Sequence, residues 1–186
     1  QAPYGQPDGP GEWLGGAEPW RLVLSAAARK LVAMFLIIGV LVLAGYIAGF
    51  AVAANNSSNG VSQANAALAV EGNYASLSAS VSAFATKVSA CQGKLSCVTK
   101  IDGQMSQAFS QFATQLQGVS MPSPAATSAA AALQADATAA ARDFHELSSA
   151  TSVAQYQQLA ASTGLQAQLT KFDTDHASLG RTLGVG

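Results

Sequence analysis

Charge is what this sequence has least of. Asp, Glu, Lys and Arg make up 10% of its 186 residues, against roughly 25% in an ordinary soluble domain. A net charge of -1 offers neither a basic face for phosphates nor an acidic one for cationic partners, which argues against nucleic acid as a partner. Histidine is also scarce: His145 in RDFHEL and His176 in DTDHAS are the only two. A nucleophile, base and orienter arrangement would need one of them beside an activated Ser or Cys. Neither segment supplies it, so no catalytic residue and no cofactor is expected. Cysteine occurs twice, in CQGKLSC, without the CxxC spacing of a redox pair. Proline is confined, with Pro3, Pro7, Pro10 and Pro19 in the first 19 residues and only Pro122 and Pro124 beyond them. Long stretches are thereby left free of helix breakers.

What is present is alanine, about a fifth of the residues, and one long apolar run. Leu31 to Ala54 contains 24 residues without a charge. As a helix it covers about 36 Å, against about 30 Å for a bilayer core, so it can span with a slight tilt. Arg21, Arg29 and Lys30 precede the run and the next basic residue is Lys87, which orients the N-terminus to the cytoplasm by the positive-inside rule. Ala51-Val52-Ala53 imitates a leader cleavage site. A signal-peptide apolar region is about 7 to 15 residues long, however, and follows a short lead, so an anchor is the better reading.

The expected organisation follows from these marks. Residues 1–19 form a Pro/Gly-rich cytoplasmic tail whose composition opposes folding alone. Trp13, Trp20, Arg21, Arg29 and Lys30 are candidate anchors at the membrane interface, where an amphipathic ring meets both water and lipid. Residues 20–30 read as a juxtamembrane helix, either extending the span or lying in the interface. Residues 31–54 are the transmembrane helix, 55–66 a polar linker, and 67–186 an extracytoplasmic domain.

Within that domain the apolar residues recur at helical spacing. Val70, Tyr74, Leu77, Val81, Phe84, Val88 and Cys91 step by fours and threes, which places them on one helix face. Val98, Ile101, Met105, Ala108 or Phe109, Phe112, Leu116 and Val119 repeat the pattern up to Gly118 and the MPSP segment. Ser123 followed by Pro124 is a start signal for a third helix reaching about Ser149. Its inner face, Ala126, Ala130, Leu133, Ala137, Ala140, Phe144 and Leu147, is mostly alanine and lets a neighbour approach closely. Thr151 can cap a fourth helix carrying Val153, Tyr156, Leu165, Leu169, Phe172, His176, Leu179 and Leu183, with a weak point at Gly164. The expected fold class is all-α: a single transmembrane helix followed by an up-down bundle of about four helices.

Three sets of residues are candidate sites. Cys91 and Cys97 flank Gly93 where the first helix hands over to the second, and outside the cytoplasm they are expected to form a disulfide, with a free or metal-bound pair as the alternative. Asp143, His145 and Glu146 could meet Asp173, Asp175 and His176 at a metal if their helices adjoin. The simpler reading is a solvated surface with His176 partly buried at a heptad position, and no metal is expected. In the span, Gly45 and Gly49 form a GxxxG pair beside Ala44 and Ala48, with Gly39 earlier. Small residues there let a partner helix, or a second copy in a homodimer, approach within lipid. No ionisable group lies inside the run, so conduction by this chain is not expected.

The QAPYGQPDGPGEW lead, the Arg29-Lys30 pair before the span and the Ala/Ser/Gln-rich exterior resemble single-pass envelope proteins of the mycobacterial and related actinobacterial type. The resemblance implies residence in the inner membrane and a role as a non-enzymatic accessory subunit of a multi-protein machine, with the mammalian-cell-entry (Mce) lipid importers as the family singled out. Its partners would be the bilayer and other integral membrane proteins. A stand-alone ligand-binding or sensor module and an accessory factor of a respiratory complex are the alternatives.

Overall fold

Alanine-rich stretches without proline favour helix, because alanine loses no side-chain entropy in it. The computed structural model describes residues 58–185, and these are all-helical, with five helices and no strand among the described residues. They are α1 (Ser58–Ala90), α2 (Leu95–Gln117), α3 (Pro124–Ser148), α4 (Val153–Ser162) and α5 (Leu165–Thr182). None of them is long and apolar enough to cross a membrane. The tail, the juxtamembrane segment, the apolar run 31–54 and the residues assigned to them (Trp13, Trp20, Arg21, Arg29, Lys30, Gly39, Ala44, Gly45, Ala48 and Gly49) lie outside the described residues.

Helix α3 is the centre of the bundle. It packs most extensively on α2, next on α5, and lightly on α4, while α1 packs on α2. The alanines read as its inner face are buried, with Ala126, Ala137 and Ala140 at 0% exposure. Ser123 caps α3 as expected, its Oγ accepting from the Ala126 N–H at 3.1 Å with Pro124 in the first turn. Rings fill the wider spaces between helices. Phe172 of α5 meets Phe109 and Phe112 of α2 edge-on, each at 5.4 Å between centroids, and Phe109 stacks on Phe144 of α3 at 5.7 Å. Each such pair contributes about 0.5–1.5 kcal/mol beyond its buried area.

Two boundaries differ from the sequence reading. The first helix begins at Ser58, inside the stretch 55–66 read as a linker. The polar residues there are weak helix formers, yet no proline interrupts them, and Ala66 and Ala67 are already buried against the bundle, so packing carries the helix back through them. The fourth expected helix is two, α4 and α5, because Gly164 adopts the left-handed conformation at φ 65°. A side chain there would be strained. The cap of α4 is Ser152 rather than Thr151. Ser152 Oγ accepts from the Gln155 N–H at 3.2 Å, and Thr151 donates its N–H and hydroxyl to Gln155 Oε1, a reciprocal arrangement like a capping box.

Cys91 and Cys97 form the expected disulfide, with Cα atoms 5.5 Å apart. It closes the turn between α1 and α2, where Gln92 and Gly93 have positive φ and Lys94 provides no side-chain cap to α2. For so short a loop the chain-entropy contribution is about 2 kcal/mol, enough to fix a corner whose backbone is strained at Gln92.

Candidate docking face and buried polar groups

Two features of the bundle are candidates for function: an open face on α1, and polar groups buried where apolar packing is expected. Helix α1 has 33 residues and spans about 50 Å, but only one side of it meets the bundle. The opposite side carries Val61, Leu68, Gly72, Ala79 and Ala83, all exposed. Val61 and Leu68, 63% and 54% exposed, are the large exposed hydrophobics among the described residues. A Cβ added at Gly72 would touch nothing within 4 Å. The helix has two charges, Glu71 and Lys87, and Lys87 lies over the Phe84 ring at 5.2 Å. The face is therefore shallow and poor in charge, with the polar Asn65, Ser76, Ser82 and Thr86 exposed among its small and apolar residues.

The second feature is polar. Tyr74 of α1 stacks flat on His176 of α5, ring centroids 3.6 Å apart and planes 5° from parallel. Its hydroxyl donates to Asp173 Oδ1 at 3.3 Å. Burial, then the nearby Asp173 carboxylate, pushes the Tyr74 hydroxyl pKa up. Burial likewise raises Asp173, partly offset by the Tyr74 bond. His176 Nε2 lies 3.3 Å from Glu71 Oε1 without the alignment a hydrogen bond requires. This polar joint fastens α1 to α5.

Across the bundle, Lys171 of α5 bridges Asp136 of α3 and Asp175, at 2.8 Å to each, and Gln168 donates to Asp136 Oδ1 at 3.0 Å. The carboxylates raise the Lys171 pKa, and the Lys171 hydrogen bond holds Asp175 below the usual carboxylate range. Asp143 is buried beside the Arg142 guanidinium at 3.4 Å, and burial pushes its carboxyl up. Asp102 of α2 is buried too, at 4% exposure. It is influenced by the Tyr156 hydroxyl of α4, yet neither Asp102 Oδ2 nor Tyr156 Oη has a well-formed hydrogen bond.

This arrangement does not assemble the metal set considered from the sequence. Asp143 turns to Arg142, Asp173 to Tyr74, Asp175 to Lys171 and His176 to the Tyr74 ring, while His145 and Glu146 are exposed. Among the described residues no group of three or more His, Cys, Asp or Glu side chains is placed to hold a metal ion.

No family model, curated protein or solved structure matches the chain.

The fold and these sites therefore rest on the residues themselves. Asp102, Asp136 and Tyr156 are the polar residues of interest that the apolar pattern did not single out as sites. The available signal was position: Asp102 follows Ile101, Asp136 precedes Ala137, and Asp143 precedes Phe144, each adjoining a heptad core position. A helix packed on two neighbours buries a second column beside its heptad seam, and these carboxyls occupy that column.

Proposed function

We propose that the chain is a non-enzymatic accessory subunit, anchored by residues 31–54 in the inner membrane, that docks laterally onto a multi-subunit envelope complex, a lipid transporter of the mammalian-cell-entry type. The observation that carries this reading is the charge-poor outer face of α1. Helix α1 begins four residues after the apolar run ends, so a helix partner engaged through Gly45 and Gly49 in the membrane can continue along Val61, Leu68 and Gly72. Val61 and Leu68, exposed one heptad apart on this side, are the side chains a partner helix would cover. Small side chains allow a partner backbone to come close without the desolvation cost that charged groups would impose.

The test is purification of the tagged full-length chain from native membranes in mild detergent, followed by mass spectrometry. It is repeated with Gly45→Leu together with Gly49→Leu, and separately with Leu68→Glu. A fixed set of transporter subunits, lost in both variants, supports the reading. A set of respiratory subunits assigns the same docking role to another machine and removes the lipid-transport part. Recovery of the chain alone, or as a homodimer, rejects the accessory role and favours the stand-alone module.

A further inference from the structure

Helix α1 lies at the edge of the bundle and packs chiefly on α2, with the Tyr74 joint to α5 near its middle. Its end is tied to α2 by the Cys91–Cys97 bond, whose Cα atoms are 5.5 Å apart. The corner inside that bond is short. Gln92 and Gly93 turn through the left-handed region at φ 50° and 78°, which a residue with a side chain, as Gln92 has, resists. Hydrogen bonds from Lys94 N–H to Cys91 O and from Cys97 N–H to Lys94 O, both 3.0 Å, complete the turn. Covalent closure thus holds a corner that its own residues do not favour.

The two sulfurs stand in different surroundings. Cys91 is 2% exposed and Cys97 only half-buried, so a reagent meets Cys97 first. Cys97 is also the third residue of α2, a helix of 23 residues with no acidic residue in its first turn and no side-chain cap from Lys94. Lys94 and Lys100 are exposed three residues before and after it. A thiolate in the first turn of a helix and near ammonium groups is stabilised, and stabilising the reduced form makes a disulfide easier to reduce. The spacing is not that of an oxidoreductase's own CxxC pair, so this pair undergoes exchange rather than catalysing it.

We propose that the Cys91–Cys97 bond is a redox clasp, opened in the folded protein by a dithiol reductant, and that its opening frees the last turn of α1 from α2 while the rest of the bundle stays packed. A thiolate of the dithiol attacks Cys97 Sγ, the sulfur–sulfur bond breaks, and Cys91 leaves as a thiolate that takes a proton. The reagent's second thiolate then attacks its own sulfur in the mixed disulfide, and Cys97 leaves as a thiolate held at the start of α2. Two electrons pass to the pair and the dithiol departs as a cyclic disulfide. Reduction restores to the open corner the chain entropy that the bond removes, which raises its opening constant roughly 30-fold. The buried Val70, Leu77 and Val81 lie further back along α1 and keep it on the bundle. The clasp is independent of which partner the chain engages.

The full-length chain in mild detergent is treated with dithiothreitol at neutral pH, free thiols are trapped with iodoacetamide and counted by intact mass, and hydrogen exchange is followed in the same samples. The expected result is alkylation of both cysteines while α3 amides keep their protection, with the amides of Lys94, Cys97 and Val98 exchanging roughly 30-fold faster. Alkylation only where α3 amides also lose protection would mean that the bond opens by unfolding, and would overturn the clasp. Full reduction with the corner amides unchanged would overturn it as well. Cys91→Ser with Cys97→Ser should show the fast corner without reductant and no response to dithiothreitol, and a response there would also overturn it. If that variant does not fold, the wild-type measurement decides alone.

Discussion

Helices α1 and α3 both lean on alanine, yet α3 buries Ala126, Ala137 and Ala140 completely while α1 leaves Ala69, Ala79 and Ala83 exposed. In α3 the small side chain is a packing device: it lets α2 and α5 come close on two sides of one central helix. In α1 one side is packed, through Val70, Leu77, Val81 and Val88, and the other is small and open. Composition alone does not distinguish these uses. What separates them is where the large residues of neighbouring helices fall, since α3 is surrounded and α1 lies at the edge.

The largest effect is expected where the packed half is joined. Phe172 is 3% exposed and touches the rings of Tyr74, Phe109 and Phe112, so it links α5 to both α1 and α2. Phe172→Ala should lower the stability of the full chain by about 3–5 kcal/mol, read by denaturant unfolding in mild detergent. A loss below about 1 kcal/mol would mean that the site collapses around the cavity and that the ring cluster is not the joint it looks like.

A smaller effect sharpens the contrast within α3 itself. Ala140 is fully buried, and Ala140→Leu inserts atoms where a neighbouring helix already sits. The expected cost is about 1–3 kcal/mol, measured in the same unfolding assay. If the variant were neutral, the alanine face of α3 would be loosely filled, and the argument from close approach would fail.

Much of this fold was legible before the structure. The four-and-three spacing of Val70, Tyr74, Leu77 and Val81 identified the packed face of α1, and Ser123-Pro124 marked the start of α3. Those signals are local: a heptad seam and a cap need only residues within one helix. What was not legible depended on tertiary context. The start of α1 at Ser58 is decided by burial of Ala66 and Ala67 against the bundle, and the break at Gly164 by the path between α4 and α5. The pairing of Asp102 with Tyr156 crosses from α2 to α4, and that of Asp136 with Lys171 from α3 to α5, so no spacing within a helix announces either. The alternative of a metal set could not be weighed from spacing for the same reason: six possible ligands lie on two segments, but Asp143, Asp173, Asp175 and His176 turn to nearer partners and His145 and Glu146 stay exposed.

The smallest expected effect on stability is also the one that separates the two uses of alanine most directly. Ala79 lies on the open side of α1, so Ala79→Leu adds a side chain into solvent and should change unfolding free energy by no more than about 0.5 kcal/mol. The same substitution type that disrupts α3 is thus expected to be silent in α1 when the chain is alone. On native membranes the outcome should differ, because a leucine projecting from a shallow face keeps a partner backbone at a distance, and the co-purifying subunits should fall while the folded chain remains. Silence in both assays would mean that the partner does not cover this part of α1 and would confine docking to the end carrying Val61 and Leu68. A clear loss of stability in the isolated chain would mean that this side of α1 is already packed, and the distinction between the two helices would go with it.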